Sequence, residues 1–440
     1  MLKQVFNKKK APVFGFVPVR KVGQIEEYRL LTNGLRVLYL PRPETGVVTT
    51  NITYMVGARD EDRGETGLAH MLEHMLFKPT ERDLKRKIKS GAAMEFERQT
   101  GSILNANTWK DRTTYYFSYP KKFFKEALAI EADRMQGVVL DDKTLKPEQN
   151  NVLSEFDMYN GDPSFALAVE MYSAAFYSHP YGHETIGYRE DVEDYTAEKL
   201  QRFYKNYYRP DNAVLMIVGD IEREKALREV KRLFATKKNP PVAISRYQVR
   251  EPKQAGVRRV EVKRPSTTNI IQFGFKHQGF PGKGWFTASV LLEALTAAED
   301  GILHKLWVDS GKASQVRSYL EPTKDENLAI IEVYLAEGIK HQDIENDFFK
   351  CLASLDKKEL GKLVKKTKAG MITDELFART DSLHIVGELT EYVSADASSS
   401  YSKTEQILSS ITVSDVLDLI KEALVIEKMC IGNFIGLKQK

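Results

Sequence analysis

Residues 236–256, TKKNPPVAISRYQVREPKQAG, divide the chain more sharply than any other stretch. They are polar and hold three prolines, a composition that neither a helix interior nor a central strand accepts. The text on either side follows one plan. Before the break come strand-like runs, a helical stretch, another strand, helices and a buried strand. After it come a strand, helices, a strand, and helices to the end. A shared order of elements over halves of similar length predicts an internal duplication. The expected fold is α+β, with two homologous domains, each a mostly antiparallel sheet with helices packed on it. Their bounds are 1–235 and 257–440, joined by a linker at 236–256. A chain of 440 residues exceeds what one hydrophobic core usually spans, which agrees with two domains.

The elements read as follows. YRLLTNGLRVLYLPR is two β-rich runs about Asn33-Gly34, a dipeptide favoured in tight hairpins. VVTTNITYMVGAR and TTYYFSYP alternate like strands. Between them, Leu68, Met71, Leu72, Met75 and Leu76 follow helical spacing. KFFKEALAIEADRMQGV and QNNVLSEFDMYNG read as helices, and TAEKLQRFYKNYYRPDNAVLMIVGDI as a helix, a proline turn and a buried strand. In the second half, TTNIIQFGFKH and NLAIIEVYLAE read as strands, ASVLLEALTA and EDGILHKLWVDSG as helices.

Within the helix at Leu68–Phe77, His70, Glu73 and His74 break an otherwise apolar pattern. A spacing of four puts both imidazoles on one helix face, a turn apart. Two neutral nitrogens so placed can reach one zinc ion at ~2.0–2.1 Å without bending the backbone. Glu73 flanks the same face, where a hydrolase needs a general base for a water activated by the metal. A single histidine on such a face would more simply be a core residue. Two of them with a glutamate between, in a chain with eight histidines, favour a metal site. H-x-x-E-H is the inverted order of the common H-E-x-x-H zinc-protease motif. A catalytic zinc takes three protein ligands and keeps one open position. KPEQNNVLSEFDMYNGD offers Glu148 and Glu155, which a separation of seven places on one helix face. Spacing alone does not choose them over solvated surface carboxylates.

YMVGARDEDRGETGLAHMLEHMLFKPT resembles the signature of the pitrilysin, insulin-degrading enzyme and mitochondrial processing peptidase family of zinc endopeptidases. GSILNANTWKDRTTYYFSYP is similar to that family's Asn-Ala-x-Thr strand, and NNVLSEFDMYNGDP to its third-ligand helix. HPYGHETIGYREDVEDYTAEKLQRFYKNYYRPDNAVLMIVGDI is similar to the segment that closes its first domain. The likeness covers most of residues 25–235 and continues only in outline beyond.

The resemblance implies His70, His74 and Glu155 as ligands of one Zn2+ per chain, with Glu73 as general base. It implies Glu148 as a supporting acid of the catalytic centre, and outer-shell groups of that kind orient ligands. Asn105, Ala106 and Thr108 match an edge strand that pairs with the substrate backbone, a mode that reads extended peptide. His179 and His183 share the i,i+4 spacing, but Pro180 and Gly182 break any helix there, so that loop is expected to shape a cleft wall.

Two departures stand out. The segment from Lys78 to Gly101 is long and charged, a flap or an insertion. Relatives carry an Arg and a Tyr seven apart in the second domain, where they bind substrate and stabilise the oxyanion. In HKLWVDSGKASQVRSYLEP those positions hold Trp307 and Ser314, while Arg317 and Tyr319 are wrongly spaced.

The expectation is therefore a zinc metalloendopeptidase, a hydrolase that cleaves peptides or unfolded segments held in extended form. A homologous subunit would supply the Arg/Tyr pair, in a heterodimer; a homodimer is the nearest rival. The reading from another class is a non-catalytic structural or assembly subunit on a peptidase fold. Against that stands the intact set His70, Glu73, His74 and Glu155. A net charge of +4 argues against nucleic acid as a partner. FNKKKAP and KKELGKLVKKTK read as solvated surface. No apolar run is long enough to span a bilayer. MLKQVFNKKKAPVFGFVPVRK lacks an apolar signal core and a cleavage site, so the expected location is cytoplasmic, with a processed periplasmic or organellar form as the alternative. Cys351 and Cys430 read as two buried thiols, with a single bridge left open.

Overall fold

The computed structural model describes residues 13–438 except 245 and 247. The run FNKKKAP lies outside the described residues. Two compact units emerge. Unit one holds the described residues up to Asn150, Glu190–Arg246 and Arg379–Val393. Unit two holds Asn151–Arg189, Tyr247–Ala378 and the chain from Ser394.

The elements run in order. Strands β1 (Phe16–Val22), β2 (Ile25–Leu30), β3 (Arg36–Pro41) and β4 (Val47–Tyr54) come first. Helices α1 (Leu68–Met75), α2 (Glu81–Lys85) and α3 (Ala92–Thr100) precede β5 (Ile103–Thr108) and β6 (Thr113–Pro120). Then come α4 (Phe124–Gly137), α5 (Asp142–Asn160), α6 (Pro163–Ala175), α7 (Arg189–Glu193), α8 (Ala197–Tyr207), β7 (Ala213–Gly219) and α9 (Arg223–Phe234). After residues 236–256 come β8 (Arg258–Pro265), β9 (Ile270–His277), α10 (Lys283–Thr296), β10 (Ala313–Tyr319) and β11 (Asn327–Leu335). Helices α11 (His341–Ala353), α12 (Lys357–Ala378), α13 (Ser382–Ser394), α14 (Thr404–Ser410) and α15 (Val413–Ala423) lead to β12 (Cys430–Leu437).

The first sheet has the order β1-β2-β3-β7-β4-β6-β5. The second has β10-β11-β9-β12-β8. Leaving out β1 and β2, the two are the same sheet. β3-β7-β4-β6-β5 corresponds to β8-β12-β9-β11-β10. In each the first pair is parallel and the other three pairs are antiparallel. The helix after the third strand in each set lies over the same end: α1 against β5 and β6, α10 against β10 and β11. The duplication expected from element order is present at the level of strand pairing.

Four strands escape the sequence reading: β1, β8, β10 and β12. The expectation of helices to the end is overturned by β12, which pairs with β8 on one side and β9 on the other. Gly432 and Gly436 dilute its strand pattern, and Gly432 has a packing reason. A Cβ there would sit 2.7 Å from the Met171 sulfur of α6. β8, RRVEVKRP, alternates cleanly but carries charge on its exposed side, as edge strands do. The segment from Lys78 to Gly101 is ordered and holds α2 and α3, the former closed by a Thr80–Asp83 capping box. The run KKELGKLVKKTK lies on α12 with most lysines exposed, above buried Leu360, Leu363 and Val364. Both cysteines are free; Cys430 is buried and Cys351 is only partly so.

The core of unit two includes Leu167, Met171, Tyr172 and Phe176 packed against Ile270, Leu328, Ile330 and Phe434. Thus α6, which precedes residues 236–256, covers the sheet that follows them. In terms of contacts, residues 151–189 go with the later sheet and 379–393 with the earlier one. Among the described residues no helix is long and apolar enough to cross a membrane.

Candidate metal centre

Helix α1 is built to hold its polar face still. Leu68, Ala69, Met71, Leu72 and Met75 are all fully buried. That leaves His70, Glu73 and His74 on the remaining, half-buried face. The helix starts at Gly67, whose φ of +87° a residue with a Cβ adopts only with strain. The buried carboxylate of Glu61 accepts the backbone N–H of Gly67 at 2.7 Å and of Ala69 at 2.8 Å. It satisfies N–H groups that the first turn leaves unpaired and sits at the positive end of the helix dipole.

The two imidazoles meet edge to face, with centroids 4.7 Å apart. Their Nε2 atoms are 3.2 Å apart. A tetrahedral zinc with bonds of ~2.0–2.1 Å has ligand atoms about 3.3 Å apart, so the pair is spaced for one ion. Glu148 and Glu155 ride on one continuous helix, α5. Glu155 comes to the histidines: ligand atoms of His70, His74 and Glu155 all lie within 4.8 Å of one another. Among the described residues this is the one group of three such side chains close enough to hold an ion. Two nitrogens and one carboxylate oxygen form a donor set that suits zinc.

Glu148 stands behind the histidines. Its Oε1 lies 3.0 Å from His74 Nδ1, and its other oxygen pairs with the Lys78 ammonium. The imidazole donates there, which leaves its Nε2 lone pair for the ion. Burial pushes the Glu148 carboxyl upward, but hydrogen bonds from His74 and Lys78, with the Lys78 charge, outweigh it and bring it to about 2. Lys78 was not singled out from the sequence. It lies four residues beyond His74, just past the end of α1, and that spacing was the available signal.

Glu73 is held from another side. The Thr108 hydroxyl donates to Glu73 Oε2 at 2.6 Å. Thr108 ends β5, the edge strand of the first sheet. Asn105 is exposed on that strand, its Oδ1 accepting the Ala106 N–H at 2.8 Å, and Ala106 is buried.

Other candidates fall elsewhere. The His179 ring is buried; Nδ1 accepts the Tyr181 N–H at 3.2 Å and Nε2 lies 3.4 Å from an Asp325 oxygen. Neither it nor His183 joins the metal group. In unit two, Trp307 is a core residue, fully buried and stacked with Phe273 and Phe348. Ser314 sits on β10, its hydroxyl 3.5 Å from the Tyr334 carbonyl. Arg317 lies over the Tyr334 ring at 4.7 Å, and the Tyr319 hydroxyl donates to buried Glu332 at 3.2 Å.

Comparison with known proteins places this geometry in context. Residues 36–189 match the family model described as Insulinase (Peptidase family M16), and residues 194–365 the model described as Peptidase M16 inactive domain. A zinc protease PqqE of Helicobacter pylori is 28% identical over 370 residues, covering 82% of this chain and 82% of that protein. A probable mitochondrial-processing peptidase subunit beta of Arabidopsis thaliana is 29% identical over 222 residues, 50% of this chain and 41% of that protein. The crystal structure of a protease from Helicobacter pylori superposes with a TM-score of 0.87 at 25% identity, covering 94% of this chain and all of that one (100%).

Proposed function

The chain belongs to the M16 family of peptidases, and from that premise we propose that it is a zinc-dependent endopeptidase acting on peptides or unfolded segments bound in extended form. The observation that carries the reading is the convergence of His70, His74 and Glu155 on one point, with Glu73 held beside them by Thr108. A zinc ion bound by those three side chains would supply a Lewis acid that polarises the scissile carbonyl and eases ionisation of water.

Every other role falls to the chain itself. Glu73 takes the proton of the attacking water and returns it to the leaving amine. Glu148, through His74, keeps the imidazole in the tautomer and orientation a ligand needs. The open edge of β5, at Asn105 and Ala106, offers backbone groups for an extended peptide to pair with.

Trp307 and Ser314 stand where the family resemblance puts an Arg and a Tyr. Trp307 is committed to the core of its own unit. On that ground the chain is read as a zinc-bearing subunit whose homologous partner supplies the pair. The β-subunit relative supports a two-chain arrangement by its name.

The deciding experiment is a metal and activity pair. The purified chain should carry about one zinc. Glu73→Gln should keep that zinc and lose hydrolysis of unstructured peptides by several orders of magnitude, because the water site survives without its proton acceptor. Hydrolysis by Glu73→Gln at the wild-type rate would refute the assignment of the base. A wild-type chain with no zinc would favour the structural-subunit reading instead.

A further inference from the structure

We infer that Thr108 is a positioning residue for the general base. The inference rests on reading Glu73 as that base. It assigns to the Thr108 side chain a task separate from any pairing of the β5 backbone with substrate.

The hydrogen-bond inventory fixes the direction. Thr108 has one hydroxyl proton and two oxygens in reach: Glu73 Oε2 at 2.6 Å and Thr113 Oγ1 at 3.5 Å. An ionised carboxylate can only accept, and a bond to a charged acceptor is shorter and stronger than one to a hydroxyl. The Thr113 hydroxyl spends its own proton on the Val56 carbonyl at 3.0 Å. The Thr108 proton therefore goes to Glu73.

The consequence concerns torsion. The terminal torsion of a glutamate is broad and roughly two-fold, so the aim of a carboxylate depends on the donors fixed to its oxygens. A donor clamped to one oxygen sets that aim. Threonine suits the task because its β-branched side chain is stiff about χ1, and Thr108 is paired across the ladder with Thr113. The donor thus sits on a strand whose position β6 sets.

The strand matters as much as the residue. β5 ends the first sheet, and successive side chains on a strand point to opposite faces. Thr108 shares a face with buried Ala106, toward α1, while the outer backbone edge of β5 is a third direction. A peptide laid along that edge and the carboxylate of Glu73 are then referenced to the same strand. Register of the peptide and aim of the base are set by one element.

The test uses the zinc-loaded chain, with its partner if one is needed, and compares Thr108→Val with Thr108→Ser. Thr108→Val keeps the shape and removes the proton. It should lower kcat by about 10–100-fold, the usual cost of an outer-shell partner, with KM and zinc content unchanged. Thr108→Ser keeps the hydroxyl and should recover most of that loss. In a Glu73→Gln background, Thr108→Val should change nothing further, since there is no base left to aim. A crystal structure of Thr108→Val should show the Glu73 carboxylate turned from its wild-type orientation, which Thr108→Ser should keep. A single, wild-type-like carboxylate orientation in Thr108→Val overturns the inference whether or not the chain hydrolyses peptide. So does a loss of kcat that Thr108→Ser fails to recover, or a loss carried by KM or by zinc content. Failure of the endopeptidase reading shows differently: Glu73→Gln then matches wild type in activity.

Discussion

The contact between Glu148 and His74 yields a graded expectation for zinc affinity. Glu148 is 6% exposed, and its Oε1 lies 3.0 Å from His74 Nδ1. A hydrogen bond to a charged group is worth about 1.5–3 kcal/mol. Glu148→Ala removes it all, so zinc binding should weaken about 10–150-fold. Glu148→Gln keeps an acceptor and loses only the charge. Charge-assisted bonds are about twice as strong as neutral ones, so the expected loss is about 4–12-fold. Lys78 holds the other carboxylate oxygen, but its side chain is 34% exposed. Ion pairs of that exposure contribute about 0–1 kcal/mol, so Lys78→Met should cost at most about fivefold. The expected order of weakening is Lys78→Met, then Glu148→Gln, then Glu148→Ala. Competition against a chromophoric zinc chelator at constant pH measures all three, with thermal unfolding to establish that each variant is folded. If Lys78→Met weakens binding more than Glu148→Ala, the orientation argument is wrong and the local charge dominates. If all three bind zinc as wild type does, Glu148 has no part in holding His74.

Further outcomes follow from other sites. His74→Ala should abolish stoichiometric zinc in elemental analysis, and full retention would overturn the ligand assignment. His277 is buried, its ring donates from Nδ1 to the Gln278 carbonyl at 2.7 Å, and burial pushes it from 6.5 down to about 4. Protons then bind the unfolded chain first, so this residue's contribution to stability is complete above pH ~6.5 and is lost by about 3 kcal/mol as pH falls towards 4. Urea denaturation across that window should show a flatter profile for His277→Gln than for wild type, and parallel profiles would refute it. The pure chain should hydrolyse unstructured peptides slowly and gain strongly from a homologous chain bearing an Arg and a Tyr seven apart. A kcat of ~1–10³ s⁻¹ for the chain alone would show that no partner is needed.

Helix α1 and its polar face were legible because two signals coincide on it. Apolar spacing of 3.6 announces a helix, and His70, Glu73 and His74 break that spacing on one face only. Glu155 was legible only through family likeness, since a glutamate on an amphipathic helix looks the same whether it faces solvent or an ion. The edge strand β5 and its Thr108 were also named, but not the bond from Thr108 to Glu73. That bond depends on how β5 lies against α1, which no local pattern encodes. The same limit explains α6. PSFALAVEMYSAA is rich in apolar residues but was not read as an element, and its partners Phe434 and Ile270 lie far along the chain. β10 and β12 were missed for local reasons: ASQVRSY is a polar edge, and CIGNFIGL carries two glycines.

The placement of β12 has a bearing on biosynthesis. The final strand of the described chain is inserted between β9 and β8, and it is also what α6 rests on. Until β12 is made, the Phe434 side of the cluster formed by Leu167, Met171, Tyr172 and Phe176 stays uncovered, a long interval for apolar surface to remain exposed. The helix before α6 bears Glu155, and Arg264 of the second sheet ties its last residue, Asn160, at 2.6 Å. Glu155 thus rides on a helix whose last residue is held by the second sheet. On the proposed ligand set, a product cut off before β12 should load zinc poorly although His70, His74 and Glu155 are all present in its sequence.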